Sequence, residues 1–119
     1  MSTMSYRIIK AFKLPNITVP RWLKFWWQRR TRGWDDSETW SLDETIAEFV
    51  LPRLIRYKEL NDIYPSNMTQ EEWDIILNKI IYSFGFYASK ERYTASREQY
   101  NEARDGIILF AEHFNKLWW

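Results

Sequence analysis

The chain has 119 residues, enough for one domain with an appendage, and 17 basic against 16 acidic side chains give it a net charge of +1. It has no cysteine, which excludes disulfides, thiolate zinc sites, iron–sulfur ligation and cysteine nucleophiles, and only three glycines and four prolines, which argues against a turn-rich β-sandwich. The near-neutral total hides a segregated charge: residues 1–34 hold eight basic and no acidic side chains, and residues 35–119 hold nine basic and all sixteen acidic ones.

In chain order, Tyr6 to Leu14 mixes β-branched and basic residues and reads as a short strand or an extended arm. It has no continuous apolar run of signal-peptide kind, and no stretch of the chain approaches the ~20 apolar residues of a membrane span. Pro20 opens a short predicted helix that Gly33 ends. At 100° per residue, Trp22, Leu23, Phe25, Trp26 and Trp27 cover a wide apolar arc, and Arg21, Lys24 and Gln28 form the opposite polar strip. Arg29, Arg30 and Arg32 follow. An acidic turn at Asp35, Asp36, Ser37 and Glu38 comes next.

Ser41, with Glu44 three residues on, is a capping box that starts a second helix. Ile46, Phe49, Val50, Leu54 and Tyr57 recur at helical spacing, and Pro52 inside that pattern predicts a kink. Tyr64 to Asn67 is a turn, and Thr69 with Glu72 is a second capping box. Trp73, Ile76, Leu77, Ile80, Ile81 and Phe84 then follow the helical rule, with Gly85 as the expected stop. Phe86 to Thr94 reads as a connection. The last helix runs from Ser96, with Tyr100, Ala103, Ile107, Phe110, Ala111, Phe114 and Leu117 as its expected buried stripe. The expectation is an all-α fold: a small antiparallel bundle of about three main helices over residues 35–119, preceded by a basic, tryptophan-rich arm or short helix over 1–34.

Three blocks, RGWDDSETWSLDETIAEFVLPRLIRYKEL (32–60), YPSNMTQEEWDIILNKIIYSF (64–84) and GIILFAEHFNKLW (106–118), carry a resemblance. They are similar to a widespread group of small proteins of tailed bacteriophages, most specifically in the WSLD…LPRL pattern and the EEWD helix. The resemblance covers about half of the chain. It implies a viral origin and the cytoplasm of an infected bacterium as the setting, with the virion as the alternative. It carries over no functional residues.

The residues themselves point away from catalysis. His113 is the only histidine, and no metal ligand stands one turn from it; Glu-x-x-His is absent. Glu98, Glu102 and Asp105 share a helical face, flanked by Arg97 and Arg104, as on a solvated charged helix. The cluster Asp35, Asp36, Glu38, Asp43 and Glu44 would attract a cation or a basic surface, or neutralise Arg29, Arg30 and Arg32 across the Gly33–Trp34 turn. No phosphate loop, nucleophile elbow or dinucleotide glycine pattern occurs. No catalytic residue, cofactor or metal is therefore assigned.

The binding candidates are Arg21, Trp22, Lys24, Trp26, Trp27, Arg29, Arg30 and Arg32 in the arm, and Trp119 at the other end. Tryptophan and arginine are the enriched anchors of protein interfaces, so a host or phage protein is the expected partner. Nucleic acid is the alternative, with bases stacked on indoles and phosphates on cations. An anionic membrane surface would bind so short a segment weakly. Self-association through either tryptophan-rich end is a further expectation, and a subunit role in a virion is the third reading.

Overall fold

The computed structural model describes residues 19–118. The expected strand or arm at Tyr6–Leu14, and Trp119, lie outside them. The fold is all-α, with no strand among the described residues. Four α-helices follow one another: α1 (Arg21–Arg32), α2 (Leu42–Leu60), α3 (Gln70–Ala88) and α4 (Arg97–His113). Single 3-10 turns lie at Asp36–Thr39, Lys90–Thr94 and Phe114–Lys116. The chain divides into two compact units, one ending at Leu42 and one starting at Asp43. That boundary falls eight residues beyond the Trp34 expected from composition. The acidic turn folds back onto α1 by hydrogen bonds and so belongs with the arm.

In the first unit, Pro20 is the N-cap of α1, one residue earlier than its expected place inside the helix. Its carbonyl accepts from the N–H groups of Leu23 and Lys24 at 3.1 and 3.0 Å. Gly33 ends the helix as expected. Its φ of 87° is left-handed, a conformation that costs other residues about 1 kcal/mol or more. Arg29, Arg30 and Arg32 crowd the last turn, where cations oppose the negative end of the helix dipole.

The second unit is built on α2, α3 and α4. Helix α2 begins at Leu42, directly after Ser41, and stays helical through Pro52. At the turn before α3, the Met68 N–H reaches the Pro65 carbonyl at 3.2 Å. Thr69 caps α3 by accepting from the Glu72 N–H at 3.1 Å. Ser96 and Gln99 cap α4 reciprocally. The core joins Ala47 and Leu54 of α2 to Ile80 and Phe84 of α3, with Ile107 and Phe110 of α4 packed against them. Helices α3 and α4 run antiparallel. The Ser83 hydroxyl donates to the Ala103 carbonyl at 2.5 Å, and Phe86 meets Tyr100 edge-on at 5.1 Å.

Two expectations are corrected. Gly85 does not stop α3, which continues to Ala88 with Ser89 as its cap. Phe86 is buried and packs on Tyr87 and Tyr100, and this packing holds the extra turn in place. The buried stripe of α4 holds at Ala103, Ile107 and Phe110 but ends earlier than expected. Ala103 and Gly106 lie at its centre, whereas Ala111 is exposed and Phe114 is 65% exposed. The α3–α4 approach is too close for a side chain at Gly106, and Phe114 lies past the last residue of α4, in the 3-10 turn, where it meets Phe110 edge-on at 5.5 Å.

Candidate binding surface

Helix α1 is fixed by polar bonds on its inner side. Gln28 is 1% exposed, and its amide is held at both ends by Asp36. Its Nε2 donates to Asp36 Oδ2 at 2.7 Å, and its Oε1 accepts from the Asp36 N–H at 2.7 Å. The Arg32 side chain is 2% exposed. It donates to Asp36 Oδ1 at 2.6 Å and to the Trp34 carbonyl at 3.0 Å, with its guanidinium 3.8 Å from the centre of the Trp34 ring. Arg29 donates to buried Asp35 at 2.5 Å. Lys24 stands 3.5 Å from Asp36. Asp35 also caps the 3-10 turn reciprocally with Glu38 and accepts from the Ser37 N–H and hydroxyl.

These bonds set the electrostatics of the lock. Burial pushes the Asp35 carboxyl up, but hydrogen bonds from Ser37 and Arg29 outweigh it and hold the group below the ordinary carboxylate value. Asp36 is likewise pushed up by desolvation and brought below it by Gln28, Arg32 and Lys24. Both carboxyls are therefore ionised near neutrality and compensate the arginines.

The consequence is a helix with its polar contacts inside and Trp22 and Trp26 outside, which corrects the expected polar strip at Gln28. Gln28 of that strip is the innermost residue, whereas Trp22 is 70% and Trp26 is 48% exposed. At 100° per residue, Trp22, Trp26, Arg29 and Arg30 share an outward arc of about 100°. Trp27 is half-buried. Arg30 is exposed and makes no ion pair among the described residues. Arg21 lies 5.5 Å from the centre of the Trp40 ring, and Phe25 meets that ring edge-on at 5.6 Å. Trp40, itself 65% exposed, adds a third outward indole that the arm's composition did not flag. Of the expected residues, the structure thus brings Trp22, Trp26, Arg29 and Arg30 to one surface and Arg32 to the interior.

The one histidine of the chain lies in the second unit. His113 Nδ1 is 2.9 Å from the Leu109 carbonyl, and its ring packs 5.8 Å from that of Trp73. Among the described residues no group of three or more His, Asp or Glu is arranged to hold a metal ion. A cleft of about 340 Å³ beside Tyr64, Asn67 and Trp118 is lined by one cation, Lys116, and no carboxylate. No described helix is long and apolar enough to cross a membrane. No family model, curated protein or solved structure matches this chain.

Proposed function

We propose that this protein is a non-enzymatic accessory protein of a tailed phage, which engages another protein of host or phage origin in the infected cell. The observation that carries the reading is the inverted helix α1. A helix of 12 residues is marginal alone in water, yet here Asp35 and Asp36 hold it so that Trp22 and Trp26 face outward. Exposed indoles on a pre-ordered helix lose little entropy on docking and supply large contact areas. A nucleic-acid partner is less favoured, because Arg29 and Arg32 of the basic cluster already neutralise Asp35 and Asp36.

The test is affinity recovery from infected cells with the intact chain and with Trp22→Ala/Trp26→Ala. Both indoles are exposed, so helicity by circular dichroism is expected to be unchanged. A nuclease-resistant protein partner, weakened about thirtyfold or more by the double substitution, is the expected result. Recovery abolished by nuclease points to nucleic acid. Turnover of a nucleotide, nucleic acid or peptide substrate by the purified protein would end the non-enzymatic reading.

A further inference from the structure

We infer that one partner of the α1 surface is a second copy of this chain, bound through the outward acidic stripe of α4. The inference rests on the reading of α1 as a binding surface. Residues 1–42 carry eight basic and three acidic side chains, and residues 43–119 carry nine and thirteen. The two units therefore have net charges of +5 and −4. Unpaired charges of opposite sign stand on one face of α1 and one face of α4. On α1, Arg30 makes no ion pair among the described residues and stands at one edge of the outward arc that holds Trp22 and Trp26, with half-exposed Arg29 at the other edge. On α4, Glu98, Asp105 and Glu112 recur every seven residues along one outward line, with Glu102 beside it. All four are exposed, and none makes an ion pair among the described residues. Ile108, 45% exposed, adjoins the line and gives the indoles an apolar seat, with exposed Arg97 and Arg104 on its far side.

The dimensions agree. At 1.5 Å per residue, Trp22 to Arg30 spans about 12 Å and Glu98 to Glu112 about 21 Å. An α1 surface laid along α4 of another copy can set its arginines against two or three of these carboxylates. Complementary faces of this kind speed encounter and fix orientation, and the buried indoles slow dissociation. The contact is heterologous, since each copy contributes one face and offers the other.

Sedimentation and light scattering at about 200 µM protein should show association in about 50 mM salt that weakens at least tenfold in about 500 mM. Trp26→Ala/Arg30→Glu breaks the α1 face, and Glu102→Arg/Asp105→Arg breaks the α4 face, so each variant alone should be monomeric. Mixed, they still hold one intact face of each kind and should form a complex of two chains. That complementation cannot arise from misfolded variants. Monomeric wild-type protein, association indifferent to salt or to either variant, or a mixture that stays monomeric overturns the inference. If the wild type is monomeric yet still recovers a protein partner through Trp22 and Trp26, self-association fails and the binding function stands.

Discussion

Gln28 is the residue on which the α1 surface depends. One amide satisfies both the Asp36 N–H and its carboxylate, at 2.7 Å each. Leucine at this position leaves the Asp36 N–H without its partner inside the unit and the carboxylate with Arg32 and Lys24 alone. Gln28→Leu should therefore destabilise the first unit by about 1–3 kcal/mol, read by urea unfolding followed through tryptophan emission. Acid should act on the same lock. The Asp35 and Asp36 carboxyls sit below their ordinary value in the fold, so the unfolded chain takes up protons first as pH falls. Their contribution is present above about pH 4 and should be lost progressively below it. Asp36→Asn should lower stability at neutral pH and flatten the acid limb, and an unchanged limb would show that these carboxyls do not control it. The pairing of the arginines with Asp35 and Asp36 was legible as one of two readings of an acidic cluster next to a basic one. Gln28 was not legible, because glutamine on a polar strip looks the same whether the strip faces water or a carboxylate.

At the scale of the element, two glycines inside helices should respond to the same substitution in opposite ways. A methyl group on Gly85 would lie 4.0 Å from Leu51 Cδ1, an ordinary contact. Gly85→Ala should therefore stabilise by about 0.5–1 kcal/mol through helix propensity. A methyl group on Gly106 would lie 2.5 Å from the Lys79 carbonyl oxygen and 2.5 Å from Ser83 Cβ. The obstruction includes backbone, so α3 and α4 must separate, and Gly106→Ala should destabilise by about 1–3 kcal/mol. Thermal unfolding of the two variants checks both signs. The periodic run from Trp73 to Phe84 and the capping residues Thr69 and Ser96 made α3 and α4 legible in the sequence. The role of each glycine was not, because a stop and a close approach use the same residue. Only Ser83, Ala103 and Gly106 seen together across two helices distinguish them.

At the scale of the whole molecule, the chain separates its charges in sequence and keeps them separate in its two compact units. The segregation and the tryptophan-rich arm were legible from composition. Which indoles face outward was not, since that depends on the inward pull of Asp36 on Gln28 and Arg32. The second unit has one buried cation of its own, Arg92, which joins residues far apart in sequence. Its guanidinium donates to Asp43 at 2.8 Å, to Glu44 at 3.3 Å and to the Tyr93 hydroxyl at 2.9 Å, tying the turn after α3 to the first turn of α2. Tyr100 on α4 donates its hydroxyl to the Arg92 carbonyl, so α2, the 3-10 turn and α4 meet at this residue. A planar fork can bond Asp43, Glu44 and Tyr93 together, whereas an ammonium group is a single point with a different reach. Arg92→Lys should therefore recover less than half of the stability lost in Arg92→Ala. That loss should be about 2 kcal/mol, held down because Asp43 is well exposed to solvent. Urea unfolding followed by circular dichroism at low and high salt measures both. Full rescue by lysine would reduce the site to a simple charge and remove the argument that its geometry holds α2 and the turn together.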